Sequence, residues 1–223
     1  MKKATDNPRR EVQTRSAVWA RTIADMLARA GVRPNTISML SIFFALAAGA
    51  LLFLAGKTDF PANSILLVAT TVLIGLRLVC NLLDGMVAVE GGLGTPSGKL
   101  FNDFPDRIAD PVLLVCAGYA AHNTPYAVEL GWIAGMLAVY TAYVRVLAGA
   151  SGAEQRFTGP MAKQHRMALL VVALLTAAVV AGTSTACHGI IITAVLAVIA
   201  GGCAITSLRR LLEALREMES DER

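Results

Sequence analysis

The sequence predicts an all-α integral membrane protein with six transmembrane helices, cytoplasmic termini and an N-terminal amphipathic helix at the membrane interface. Its 223 residues are 55% hydrophobic and 16% charged, whereas soluble domains are about 45–50% apolar and about 25% charged. The chain also contains six apolar stretches of the kind that a spanning helix of about 20 residues requires. These stretches cover residues 36–56, 62–89, 101–121, 126–149, 167–182 and 186–207.

The distribution of basic residues indicates how the chain is oriented, because cytoplasmic segments are enriched in Lys and Arg. Eight basic residues precede the first stretch, whereas the short turns on the opposite side contain Lys57 alone. Further basic residues lie in the longer connections and in the tail after residue 208. We therefore expect both termini in the cytoplasm and the protein in the cell (inner) membrane. The eight N-terminal residues are Lys2, Lys3, Arg9, Arg10, Arg15, Arg21, Arg29 and Arg33.

These features divide the chain into a juxtamembrane segment (residues 1–35), a six-helix membrane domain (residues 36–208) and a cytoplasmic tail (residues 209–223). The first segment carries apolar side chains at helical spacing among arginines, a pattern typical of a helix that lies in the membrane interface. The alternative is a solvated leader that only follows the charge rule. The apolar residues of the segment are Trp19, Ile23, Met26, Leu27 and Ala30.

Polar side chains inside the second and third stretches are the candidates for chemistry, since an Asp at the centre of a spanning helix costs about 2.5–3.5 kcal/mol. Asn81 and Asp84 are three residues apart and share a helix face. Asn102, Asp106 and Asp110 are spaced by four and stack on another face. Carboxylate and amide oxygens are the ligands that hard cations such as Mg²⁺ prefer.

Both polar faces are expected at the cytoplasmic edge of the membrane. The 22 residues from Ala62 to Asp84 would rise about 33 Å as a helix, against a hydrocarbon core of about 30 Å. The third stretch begins on the same side, so its polar face should lie at a similar depth. Hydrogen bonds that only join helices are the alternative, which we favour for Asp103 and Arg107 but not for Asp84 or Asp106.

The two stretches together carry a long motif with fixed spacing. It reads Asn81-x-x-Asp84-Gly85-x-x-Ala88-Val89, then eight residues, then Gly98-x-x-x-Asn102-x-x-x-Asp106. This motif resembles the signature of the CDP-alcohol phosphotransferases, Asp-x-x-Asp-Gly-x-x-Ala-Arg, eight residues, Gly-x-x-x-Asp-x-x-x-Asp. Every spacing is kept, and five of the eight signature residues are the same. The segment from Pro34 to Ser38 also resembles the family's Pro-Asn-x-x-Thr start of the first span.

The resemblance implies a transferase of phospholipid biosynthesis. Such an enzyme moves a phosphatidyl (phospho-alcohol) group from a CDP-alcohol, usually CDP-diacylglycerol, to a small alcohol acceptor and releases CMP. The resemblance also implies that two divalent ions, Mg²⁺ or Mn²⁺, hold the diphosphate and that Asp106 is the catalytic base that takes the hydroxyl proton. The implied metal ligands are Asn81, Asp84, Asn102 and Asp106, and the implied substrate-binding residues are Asn35, Thr36, Gly85, Ala88, Thr95 and Gly98.

Three signature positions depart from the family. Asn81 and Asn102 replace aspartates that bridge both metal ions, and Val89 replaces an arginine that contacts the nucleotide. An amide oxygen still coordinates a hard cation but brings no charge. Three interpretations are open: one ion in place of two, a substitute carboxylate from Asp110 or Asp103, or loss of transferase activity. Because both Asp-to-Asn changes preserve shape and oxygen ligation, we favour an active enzyme.

Basic residues at the cytoplasmic ends of the fourth and fifth stretches are further candidates. Arg145 and Lys163, with Arg166 nearby in sequence, could hold the phosphate of an acceptor or the diphosphate of the lipid donor. The alternative is a topological role with headgroup contacts. Arg77 in the second stretch needs a partner within the bundle, and Asp84, seven residues further on, shares its helix face.

Two other functions compete with the transferase. One is a catalytically inactive family member that binds a nucleotide-lipid or a partner enzyme. The other is a small transporter, which fits less well because its polar residues should line a path near the membrane midplane. The expected partners are CDP-diacylglycerol or another CDP-alcohol, an alcohol acceptor and membrane lipids, with no nucleic acid. Glycines in the spans would permit the close helix approach of a homodimer.

Overall fold

The computed structural model describes residues 18–89, 91–157, 159–182 and 185–221. Within these ranges every regular element is an α-helix. The beginning of the predicted juxtamembrane segment, residues 1–17, lies outside the described residues. The helices are α1 (Val18–Arg29), α2 (Pro34–Ala55), α3 (Ala62–Val89), α4 (Gly98–Ala120), α5 (Ala127–Ala150), α6 (Lys163–Val180) and α7 (Thr185–Asp221).

Each of the six predicted apolar stretches forms a helix, in order from α2 to α7. Among the described residues, five helices are long and apolar enough to cross a membrane, namely α2, α3, α5, α6 and α7. The helix α4 differs because four charged side chains occupy its first half, although its 23 residues would reach across a bilayer. The sixth span and the orientation of the termini stay predictions.

The helices pack side by side around a main apolar core, and a smaller apolar cluster lies beside α1. Helix α2 lies against α3 and α4, whereas α5 lies against α4 and α7, and α6 joins α3 to α7. The core is built from leucine, isoleucine and many alanines, of which Leu52, Leu114 and Leu196 are fully buried. Small residues allow close contact between α4 and α5, because a Cβ atom on Gly118 would lie 2.6 Å from the carbonyl oxygen of Ala127.

The short helix α1 packs on α3 through Ala20 and Ala24, which are buried beside Leu83. Its opposite side leaves Trp19 and Met26 largely exposed. Of the five apolar residues listed for this segment, Leu27 packs against the interior cluster, as does the neighbouring Ala28. The placement of α1 in the membrane interface stays a prediction.

The last helix is longer than a membrane requires. Its 37 residues rise about 55 Å, against a hydrocarbon core of about 30 Å. The predicted tail from residue 209 is therefore helical as far as Asp221 and continues the preceding helix without a break.

We expect that the contact between α4 and α5 has no room for a methyl group at Gly118. Alanine favours a helix over glycine by about 1 kcal/mol, but overpacking at Gly118 should cost about 1–3 kcal/mol. Gly118→Ala should therefore lower the melting temperature in detergent, by about 2–4 °C for each kcal/mol of net loss. Gly75→Ala is the matched control, since nothing lies within 4 Å of an added Cβ there. An equal loss in both variants would contradict this account of the contact.

Candidate functional site

A buried network of ion pairs joins α3, α4 and α6. The guanidinium of Arg77 on α3 has no exposed surface and donates from Nη2 to Asp106 Oδ1 at 2.9 Å and to Asp110 Oδ1 at 2.7 Å. Arg166 on α6 donates from Nη2 to the other oxygen of Asp110 at 2.7 Å. The prediction that Asp84 is the partner of Arg77 is wrong, because the arginine reaches across to α4 instead of along its own helix.

Asp106 is contacted by three donors from two other helices. Besides Arg77, its Oδ1 accepts a hydrogen bond from Asn81 Nδ2 at 3.2 Å. Its Oδ2 lies 2.5 Å from the ammonium nitrogen of Lys163, the first residue of α6. The structure therefore brings together two predicted ligand positions, Asn81 and Asp106, and places a lysine beside them.

Asp84 occupies a different environment from Asp106. Its side chain is buried, and its Oδ2 accepts a short hydrogen bond of 2.6 Å from the hydroxyl of Ser38 on α2. Its other oxygen, Oδ1, is also buried and accepts no hydrogen bond from a side chain within the described residues. Of the two signature carboxylates, Asp84 is thus the one with an oxygen atom that no side chain contacts by a hydrogen bond.

A second ionic cluster surrounds Asp103 on α4. Arg107 donates to Asp103 at 2.9 Å, as predicted for residues four apart, and Arg145 of α5 contacts both carboxylate oxygens at 2.8 Å. The guanidinium of Arg145 also lies 4.5 Å from the ring centre of Phe157. The guanidinium of Arg145 is therefore already bound by protein groups and is not a free phosphate-binding cation.

Neither Asp103 nor Asp110 is a free carboxylate that could replace the missing signature aspartates, because each is paired with two arginines.

The loop that precedes Lys163 is held by α7 at two points. The backbone N–H of Met161 donates to Thr206 Oγ1 at 3.0 Å. Further along α7, Glu217 accepts from Arg156 at 3.0 Å. These contacts fix the position at which α6 begins, and they thereby position Lys163.

The remaining predicted site residues lie near the signature segments without joining this network. Asn102 is exposed on α4, and within the described residues it makes no hydrogen bond or ion pair with the other signature side chains. Thr95 is exposed in the loop before α4, where its hydroxyl lies 3.3 Å from that of Ser97. The half-buried residues are Asn35, Gly85, Ala88 and Gly98, and Thr36 is exposed.

Sequence reasoning missed the role of Ser38 and the pairing of Arg166 with Asp110. A signal existed for Ser38, since it stands where the resembling segment Pro-Asn-x-x-Thr has its hydroxyl residue. No sequence pattern pairs Arg166 with Asp110, because the two residues are 56 positions apart on different helices.

The donor set does not fit a pair of divalent ions. Two of the four signature positions are neutral amides, and both oxygens of Asp106 already face cations, Arg77 and Lys163. Only Asp84 retains an uncommitted carboxylate oxygen. Among the described residues, no group of three or more His, Cys, Asp or Glu side chains is arranged to hold a metal ion.

Comparison with solved structures identifies the fold, although no protein-family model and no curated protein matches the chain. The crystal structure of Mycobacterium tuberculosis phosphatidylinositol phosphate synthase (PgsA1) with CDP-DAG bound matches with a TM-score of 0.71 at 23% identity. That match covers 89% of this chain and 94% of the synthase chain. The chain has the fold of this synthase.

Two further structures of the same synthase give similar matches at 23% identity. The complex with manganese and citrate has a TM-score of 0.70 and is covered over 88% of each chain. The apo form has a TM-score of 0.66, with 87% of this chain and 94% of that chain covered. The likeness extends over nearly the whole chain and concerns the arrangement of the helices.

The two ionic clusters should differ sharply in their effect on stability. Asp110 is 1% exposed, and removing one partner from a buried ionic network costs about 3–5 kcal/mol. Asp103 also contacts two arginines, but its side chain is 39% exposed, and exposed pairs contribute about 0–1 kcal/mol. Asp110→Asn should therefore lower the melting temperature in detergent far more than Asp103→Asn does. Equal losses would show that burial does not set the strength of these pairs.

Proposed function

We propose that this chain binds a CDP-alcohol, with CDP-diacylglycerol as the first candidate, and transfers its phospho-alcohol group to a small second alcohol with release of CMP. The supporting observation is the fold shared with a synthase whose crystal structure has CDP-DAG bound. The signature residues Asp84 and Asp106 stand on neighbouring parts of α3 and α4, as a shared site requires. The activity belongs to phospholipid biosynthesis.

The proposed site faces the cytoplasm. The three helix ends that meet there are the end of α3, the beginning of α4 and the beginning of α6. The charge distribution of the sequence supports a cytoplasmic position for these ends, where a water-soluble acceptor can reach them. The acyl chains of the lipid donor would then lie in the membrane along the apolar helix surfaces, and the nucleotide would lie near Gly85, Ala88, Thr95 and Gly98.

In the proposed reaction, the acceptor hydroxyl oxygen attacks the phosphorus that carries the donor's alcohol. A new P–O bond forms, the bridging P–O bond of the diphosphate breaks, and CMP leaves with that electron pair. The hydroxyl proton passes to Asp106, the catalytic base. Arg77 holds Oδ1 of this residue in place, and Lys163 must release Oδ2 before that oxygen accepts a proton.

Dependence on Mg²⁺ or Mn²⁺ stays a prediction from the sequence. The related synthase structure in complex with manganese supports it, whereas the ion pairs of Asp106 oppose it. The proposed reaction contains no step through a metal ion, because the residues present do not fit a pair of such ions.

A catalytically inactive protein that binds a nucleotide-lipid is the second candidate. The observation that favours it is the engagement of Asp106 with Arg77, Lys163 and Asn81, since these three donors occupy both oxygens to which an acceptor hydroxyl would have to donate. Such a protein would bind CDP-diacylglycerol but release no CMP.

The deciding experiment is CMP release from CDP-diacylglycerol by the purified full-length protein in liposomes, with a panel of acceptor alcohols and with Mg²⁺, Mn²⁺ or chelator. Asp106→Asn should lower the rate by about 10²–10⁴-fold, the usual contribution of a general base. Asp59→Asn is the matched control, because Asp59 is exposed in the turn between α2 and α3 at the opposite end of the helices. Release that persists in Asp106→Asn would exclude Asp106 as the base. Binding without release under every condition would favour the inactive protein.

A further inference from the structure

We propose that Lys163 takes the place of divalent metal at this site, so that the protein binds the diphosphate of a CDP-alcohol without a metal ion. The inference rests on the proposed CDP-alcohol ligand but not on catalysis. It concerns how the charge of the diphosphate is neutralised.

The charges around Asp106 support this inference. Two carboxylates, Asp106 and Asp110, face three cations, Arg77, Lys163 and Arg166. Asp84, which interacts electrostatically with Lys163 and Asp106 without contacting them, is the third carboxylate of the site and balances the third cation. The site therefore has no excess negative charge to hold a metal ion. A divalent cation that approached Asp106 would meet repulsion from two of these cations, whereas a diphosphate would be attracted.

The two asparagines make the site less negative than the signature of the resembling family would. Asn81 and Asn102 stand at signature positions where the resembling family has carboxylates, so the site lacks two negative charges that would compensate metal ions. The amide of Asn81 donates to Asp106, a contact that an aspartate could not make in its ionised form. The absence of two acidic ligands and the presence of a lysine contact are therefore combined around one carboxylate.

Lys163 is the cation that can move from Asp106 to a ligand. Its side chain is 29% exposed, whereas those of Arg77 and Arg166 are 0% and 4% exposed. If Lys163 turns to a phosphate, Asp106 still keeps Arg77 and Asn81 as partners. Lys163 is also the first residue of an 18-residue helix, whose N-terminus carries positive partial charge that favours anions.

The first test measures the binding of CDP-diacylglycerol to the purified full-length protein in detergent, with EDTA or with Mg²⁺ at equal ionic strength. Wild-type protein should give dissociation constants that agree within about twofold in the two buffers. Lys163→Ala should weaken binding in EDTA by about tenfold or more, because a charge-assisted contact is lost. Lys163→Arg should retain most of the affinity.

Lys57→Ala serves as the matched control. It removes the same charge from the turn between α2 and α3, where the ammonium lies over the ring of Phe53, and should leave binding unchanged. Melting temperatures establish that each variant is folded, and Lys163→Gln replaces Lys163→Ala if the latter is not.

The second test measures binding of Mn²⁺ alone by electron paramagnetic resonance. Wild-type protein should hold no stoichiometric Mn²⁺ at micromolar concentrations, whereas the combined variant Asn81→Asp, Asn102→Asp and Lys163→Ala should gain a bound ion. Stoichiometric Mn²⁺ on the wild type, or a CDP-diacylglycerol affinity that falls about tenfold or more in EDTA, would overturn the inference.

The outcomes separate this inference from the proposed transferase. Binding in EDTA without CMP release would support the inference and overturn the transferase. Metal-dependent binding together with metal-dependent CMP release would do the opposite. Failure to bind CDP-diacylglycerol in either buffer would overturn both.

Discussion

The carboxylate of Asp110, buried between Arg77 and Arg166, is the interaction on which the arrangement of this site depends. It connects α3, α4 and α6 by bonds of 2.7 Å in a region shielded from water. Since an isolated charge is costly in such surroundings, the three helices reach favourable energy only in an arrangement that brings all three charges together. The same contacts set the position of Asp106, one turn nearer the start of α4, and of Lys163 at the start of α6.

The partners of the signature carboxylates depend on the arginines that pair with Asp110. Arg77 is shared between Asp110 and Asp106, so the structural network and the signature motif have one residue in common. Asp84 lies outside this network and is held by a neutral hydroxyl, that of Ser38. Two carboxylates of one motif therefore have contrasting partners, and of the two only Asp106 forms ion pairs with protein cations.

The sequence predicted the helices well because apolar stretches and short polar turns are local signals. It also predicted the contact between Asp103 and Arg107, which are four residues apart on one helix. It could not pair Arg77 with the correct carboxylates, because Asp84 shares its helix face whereas Asp106 and Asp110 become neighbours only when α3 packs beside α4. The contact of Lys163 with Asp106 joins residues far apart in the chain. Helical periodicity indicates which residues share a face but not which two faces meet.

Helix α7 holds the loop before Lys163 through two side chains. The geometry of the site therefore depends on the directions in which these two side chains point around the axis of α7. Thr206 and Glu217 are eleven residues apart on one continuous helix, close to three turns at 3.6 residues per turn, so they point in nearly the same direction. A single residue inserted between them would rotate one of these side chains by about 100° relative to the other. The number of residues between Thr206 and Glu217 is thus constrained by the loop, even at positions where the side chains of α7 are exposed.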